Sequence, residues 1–110
     1  MKKKDSLKLI ERLKGLRDAS VEGRLFKTAI FYAQQLVFIE NNHIDQYKLS
    51  NIYYLDGKYH LCLHSLNQLL NSCHGKLLAA QCLVKMENYE EAMKLLSDSD
   101  EPIPTNGLFC

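Results

Sequence analysis

The residues best suited to chemistry crowd into "YHLCLHSL", where His60, Cys62 and His64 alternate with other side chains. Imidazole and thiolate are common zinc ligands, so the cluster must be tested as a metal site. On a helix, His60 and His64 stand at i and i+4 and share a face, while Cys62 lies about 200° round from both. Two histidines lacking a third ligand make a poor site. The same stretch also reads as part of two helices meeting at Gly57, with Cys62 small enough to sit between them. A second pair, Cys73 and His74 before Gly75, could activate a thiolate. No acid or oxyanion donor is recognisable beside it. Walker, G-x-G-x-x-G and H-E-x-x-H patterns do not occur in the sequence. No enzyme, metal site or cofactor is therefore expected.

Composition points the same way. The chain has 110 residues, 46% hydrophobic and 25% charged, with a net charge of +1. A chain of this size can bury roughly two thirds of its unfolded surface, enough for one modest core. So small a net charge gives no general pull toward nucleic acid or anionic membrane, and neither is expected as a partner. The basic start "MKKK" has no interleaved aromatics and reads as a solubilising terminus. Charge is mildly uneven: residues 1–46 hold nine Lys/Arg against six Asp/Glu, and residues 47–110 hold five against seven. No apolar run approaches the roughly 18 residues of a membrane span. No signal-peptide core follows the first lysines either, so the four cysteines are expected to be reduced and intracellular. The acidic run "SDSDE" (97–101) reads as a solvated helix end, with a phosphorylated segment as the alternative.

The elements that would carry these residues are helical. Prolines occur only at 102 and 104, and apolar residues recur with helical spacing. Helices are expected near 5–19, 25–39, 45–55, 58–71, 75–86 and 88–97. The stretches "SVEGR" and "ENNHID" separate the first three. The fold class is all-α.

An internal repeat sharpens that reading. A shift of 30 lays "LSNIYYLDGKYHLCLHSL" (49–66) on "AAQCLVKMENYEEAMKLL" (79–96), bringing Tyr59 to Tyr89 and Cys62 to Ala92. A shift of 33 places Phe26 on Tyr59 and Ala29 on Cys62. Each unit thus opens its second helix with an aromatic and sets a small residue three positions later. Small residues let antiparallel helices approach, the aromatic fills the gap by the turn, and stacked pairs bury what one pair cannot. Phe26, Ala29, Tyr59, Cys62, Tyr89 and Ala92 are the expected packing residues.

This pattern resembles the tetratricopeptide repeat (TPR), a helix–turn–helix unit of about 34 residues. Leu49, Ser50, Tyr53, Gly57, Tyr59, Cys62, Leu66 and Leu69 occupy signature positions in the second unit. Ala80, Leu83, Tyr89, Ala92 and Leu96 do so in the third, although Glu87 replaces a common glycine. The implied architecture is a solenoid of about three repeats over 1–101, with units near 5–42, 43–72 and 73–101 and a tail at 102–110. The stretches "FKTAIFYAQQLVFIENN", "NIYYLDGKYHLCLHSLNQ" and "CHGKLLAAQCLVKMENYEEAMKLLSDSDEPI" further resemble the N-terminal repeats of TPR subunits of the anaphase-promoting complex, a ubiquitin ligase of the cell cycle. That resemblance implies an interaction scaffold in nucleus and cytoplasm, homodimeric through its first repeats and contacting other subunits of a multiprotein complex. The competing reading is a general TPR adaptor that takes a short peptide or helix in its concave groove.

By register, the groove would be lined by Tyr47, Asn51, Tyr54 and Leu55 from the second repeat and by Leu77, Gln81, Val84 and Lys85 from the third. Tyrosine, leucine and valine suit a helix or a second copy better than a charged tail. Leu9, Leu13 and Leu16 give the first helix a surplus apolar stripe, and they are the expected dimer contacts.

Overall fold

A computed structural model describes residues 3–97, with side chains from Asp5 onward. Six α-helices follow one another: α1 (Lys3–Glu22), α2 (Phe26–Glu40), α3 (His43–Leu55), α4 (Tyr59–Ser65), α5 (Cys73–Lys85) and α6 (Tyr89–Ser97). A single 3-10 turn, Asn67–Leu69, extends α4. No strand occurs among the described residues. The helices pair as α1–α2, α3–α4 and α5–α6, and each pair packs on the next, giving a TPR-like solenoid.

Three turns join the helices within the pairs, and they are built alike. In the first, Gly23, Arg24 and Leu25 donate from their amides to Ala19 O, Val21 O and Ser20 O at 2.9, 3.0 and 2.8 Å. Asp56, Gly57 and Lys58 repeat this to Ile52 O, Tyr54 O and Tyr53 O at 3.0, 3.0 and 2.9 Å. Met86, Glu87 and Asn88 do so again to Cys82 O, Val84 O and Leu83 O at 3.0, 2.9 and 2.8 Å. The middle residue of each is left-handed, with φ of 59° at Arg24, 77° at Gly57 and 61° at Glu87. Such closures satisfy the orphan carbonyls at a helix end. They also fix the register, so α1, loosely matched in sequence, stands where α3 and α5 stand in their own repeats.

Two boundaries differ from expectation for identifiable reasons. The break "ENNHID" shrinks to Asn41 and Asn42. Asn41 closes α2 in the left-handed region (φ 49°), and the Asn42 side chain accepts from the Asp45 amide at 2.8 Å. Asparagine serves both roles, so α3 starts at once. The helix expected over 58–71 instead leaves the α ladder after Ser65. There the Ser65 carbonyl accepts the Gln46 side-chain amide at 2.8 Å, and the Leu69 amide turns to Leu66 O at 2.7 Å. A polar reach from α3 thus tightens the end of α4. Close approach follows next door: a Cβ on Gly75 would run into the Leu69 carbonyl.

The core threads all three pairs. Ala29 and Cys62 are 0% exposed and Ala92 is 4% exposed, with Leu49, Ile52, Leu66, Leu78, Ala79 and Cys82 buried among them. Phe26 and Tyr59 are half-buried at the edges of this core. Tyr89, at the same place in the last turn, is 57% exposed, because no helix follows α6 among the described residues to cover it.

Candidate interaction surfaces

The side on which α1, α3 and α5 line up carries two clefts. One, of about 330 Å³, lies between Arg17, Asp18 and Val21 of α1 and Tyr47, Lys48, Asn51 and Ile52 of α3. The second, of about 370 Å³, runs from His43, Ile44, Tyr47 and Lys48 to Leu69, Asn71, Ser72 and His74. Tyr47 divides them, with its ring edge-on to His74 at 6.1 Å. Burial, and then the field of the neighbouring Cys62, push the Tyr47 phenol above its ordinary range. It therefore stays a neutral hydrogen-bonding group at physiological pH.

A third cavity, of about 440 Å³, opens at the far end. Its walls are Tyr54 from α3, Leu77, Ala80, Gln81, Val84 and Lys85 from α5 side, and Tyr89, Ala92, Met93 and Leu96 from α6. The eight residues expected to form one groove are therefore divided. Tyr47 and Asn51 line the clefts, whereas Tyr54, Leu77, Gln81, Val84 and Lys85 gather at the end of the solenoid. Leu55 is exposed and lines none of these three hollows.

On α1, Leu9 and Leu16 are exposed, as is Leu7, while Leu13 is half-buried. The helix is held down by charge. Arg17 and Asp45 are each 2% exposed, and the Arg17 guanidinium donates to Asp45 Oδ1 at 3.1 Å and to Asp18 at 2.9 Å. The other Asp45 oxygen is buried without a hydrogen-bond partner among the described residues. Nearby, Lys14 meets Glu40 at 3.1 Å, and that contact raises the Lys14 pKa above the ordinary lysine range. This polar junction was missed in the sequence. The signal existed: the shift of 33 carries Arg17 onto Ser50, a position reserved for small buried side chains. Also missed was an uncovered stripe on α2, where Phe31 and Phe38 are exposed, Phe38 by 86%. An all-round apolar sequence in α2 was its trace.

The candidates for chemistry do not converge. His60 and His64 are exposed, while Cys62 is buried on the opposite side of α4. Among the described residues no group of three or more His, Cys, Asp and Glu is placed to hold a metal. Cys62 instead meets Cys82 of α5. Their hydrogen bond, and then burial, push the Cys62 thiol far above its ordinary range, while the same bond lowers Cys82. The pair thus holds at least one proton firmly. Both are free thiols. Cys73 lies apart from this pair. Its partly exposed place at the start of α5 leaves it reachable, as the two buried thiols are not. No described helix is long and apolar enough to cross a membrane.

A solenoid of helix pairs whose hollows are lined by tyrosine, leucine and valine defines a repeat protein with surfaces for other chains. Residues 22–99 match the family described as "Anaphase-promoting complex, cyclosome, subunit 3". The chain belongs to that family. It is also similar to anaphase-promoting complex subunit 6 of Arabidopsis thaliana, at 27% identity over 93 residues, covering 82% of this chain and 17% of the relative. Among solved structures it resembles one chain of "Crystal structure of APC/C hetero-tetramer Cut9-Hcn1", with a TM-score of 0.74 and 28% identity. That likeness covers 83% of this chain and 18% of the other. The chain thus spans less than a fifth of the length of these two relatives.

Proposed function

We propose that the chain is a non-catalytic interaction scaffold of the anaphase-promoting complex, acting in the cell cycle and working in nucleus and cytoplasm. We infer further that its repeats are most like those of Cut9, with the subunit 3 kind as the alternative, and that they form a homodimer and contact other subunits. The observation that carries the dimer is the exposed apolar stripe of α1, Leu9 and Leu16 with Leu7 beside them, on the same molecule as unfilled clefts along α1, α3 and α5. A helix with a surplus apolar face and a concave apolar surface satisfy one another under two-fold symmetry.

Sedimentation equilibrium tests this reading. The wild type should dimerise at tens of micromolar, and Leu9→Glu combined with Leu16→Glu should give soluble helical monomers. Both side chains are exposed, so folding does not depend on them; Leu13, half-buried, is left in place. A variant that stays dimeric places the interface elsewhere. A wild type that is monomeric at those concentrations removes the homodimer and favours the adaptor, whose peptide would enter the cleft at Ile44, Tyr47 and Leu69.

A further inference from the structure

The polar side chains of α3 divide into those the fold uses and those it leaves over. Asp45, Gln46 and Ser50 are bonded within the fold, to Arg17, to the Ser65 carbonyl and to the Gln46 carbonyl. Lys48 and Asn51 make no hydrogen bond or ion pair among the described residues. Standing at i and i+3, these two point the same way, and both line the cleft between α1 and α3. The cleft has one carboxylate, Asp18, on its α1 wall, and an apolar lining of Val21 and Ile52. Because α3 has α1 on one side and α5 on the other, this cleft lies inside the row of repeats. The exposed edge of α1 carries a matching set. Asp5, Leu9, Arg12 and Leu16 recur at helical spacing, share one face and are all exposed. Neither Asp5 nor Arg12 enters an ion pair among the described residues.

We propose that Lys48 and Asn51 are the specificity-determining residues of the two-fold dimer, receiving the Asp5 carboxylate from α1 of the second copy. This rests on the dimer reading and assigns the charges that orient it. Leu9 and Leu16 supply the apolar contact, and an apolar stripe alone does not say which way a helix lies in a groove. The charges do. With Asp5 at Lys48, Arg12 stands about 10 Å farther along the helix and turns toward the Asp18 side of the cleft. A helix laid the opposite way brings Arg12 to Lys48 and Asp5 to Asp18, like against like, which is strongly disfavoured. Under two-fold symmetry each contact occurs twice, so one substitution is felt at two places.

Charge exchange tests it. Lys48 and Asp5 are both exposed, so Lys48→Glu and Asp5→Lys should keep the wild-type circular dichroism. In sedimentation equilibrium, each alone should weaken the dimer by at least about tenfold. Both changes in one chain should bring the affinity back to within about threefold of the wild type. An equal mixture of the two single variants should do the same, because each of its two contacts then joins opposite charges. Glu11→Lys makes the same change of charge about 200° round α1 from Leu9, and should leave the affinity within about threefold of the wild type. Should Asp5→Lys loosen the start of α1, Asp5→Asn and Lys48→Met give a second cycle, in which the double variant should be no weaker than the weaker single. Losses that simply multiply in that cycle overturn the pairing. So does a dimer indifferent to Lys48→Glu, a loss that neither the double variant nor the mixture recovers, or an equal loss from Glu11→Lys. In those cases a dimer that still falls apart on Leu9→Glu with Leu16→Glu leaves the dimer reading standing. A wild type that is monomeric at tens of micromolar removes that reading, and the pairing with it.

Discussion

Where α3 meets the α1–α2 pair the seam is closed with charge; where α5 meets the α3–α4 pair it is closed with thiols and rings. The first holds Arg17 against Asp45 at 3.1 Å out of water, with Lys14 and Glu40 at its rim. The second holds Cys62 against Cys82 and Tyr47 against His74. Yet identical backbone closures at Arg24 and Gly57 bring the helices to both seams. Geometry in this fold is thus set by turns and small residues, and the chemistry of a seam is free to vary. Charge does a different task from packing. Burying an ion pair is costly, so its net gift to stability is small, whereas breaking it leaves an uncompensated charge. The charged seam should therefore tolerate replacement of both partners and not of one.

The largest expected effect breaks the charged seam. Asp45→Ala leaves Arg17 buried with only the exposed Asp18 carboxylate for company, and should cost about 3–5 kcal/mol in urea unfolding, as removal of one member of a buried pair does. In a domain whose whole stability is typically about 5–15 kcal/mol, that approaches unfolding. Replacing both, Arg17→Met with Asp45→Leu, should bring stability back to within about 1 kcal/mol of the parent or above it. A double variant as weak as Asp45→Ala would mean the pair itself stabilises the fold, and the contrast between the seams would fall.

The thiol seam should respond to volume instead. Cys62→Phe inserts a ring between α4 and α5 and should cost about 1–3 kcal/mol, whereas Cys62→Ala should stay within about 1.5 kcal/mol. Zinc content should be well below equimolar in the purified protein. Equimolar zinc that is lost on His60→Ala would show that the histidines, exposed as they are, do recruit a metal.

How much of this was legible in the sequence differs between turn and seam. The aromatic and small residue at Phe26 and Ala29, Tyr59 and Cys62, Tyr89 and Ala92 are local signals, repeated at nearly constant spacing. They sufficed for the all-α solenoid and the six helices. Helix ends were less legible where adjacent residues of one type close one helix and open the next, as Asn41 and Asn42 do, or where a distant group intervenes, as Gln46 does at Ser65. The surfaces were read least well, because a groove assignment by register tells which helix face a residue occupies but not where neighbouring helices stop. Tyr54 and Val84 share one helical face with Tyr47 and yet belong to the end of the solenoid, since α5 covers the second repeat and no described helix covers the third. Arg17 was hidden for another reason. A charge on an amphipathic helix is ordinarily solvated, and the buried partner that meets it here, Asp45, stands 28 positions away.

The smallest expected effect lies in the turns that both seams share. Left-handed backbone suits glycine, and any other L-residue there gives up roughly 1–2 kcal/mol. Gly57 meets that need, and a Cβ on it would touch nothing within 4 Å. The cost of Gly57→Ala should therefore come from φ alone, about 1 kcal/mol. Glu87 holds the same conformation at 61° with a side chain that is exposed. Glu87→Gly should stabilise by about 0.5–1 kcal/mol, the relief of strain less the larger unfolded-state entropy of glycine. Arg24 is the third case and separates strain from contact. Its guanidinium lies 5.5 Å from the centroid of the Phe26 ring, a contact worth about 0.5–1 kcal/mol at an exposed site. Arg24→Gly gains the same relief, loses that contact, and should come out near zero. Thermal unfolding of the three variants side by side checks the order: Glu87→Gly above the parent, Arg24→Gly level with it, Gly57→Ala below. If Arg24→Gly and Glu87→Gly rise equally, the cation over Phe26 contributes nothing, and backbone conformation alone distinguishes the turns.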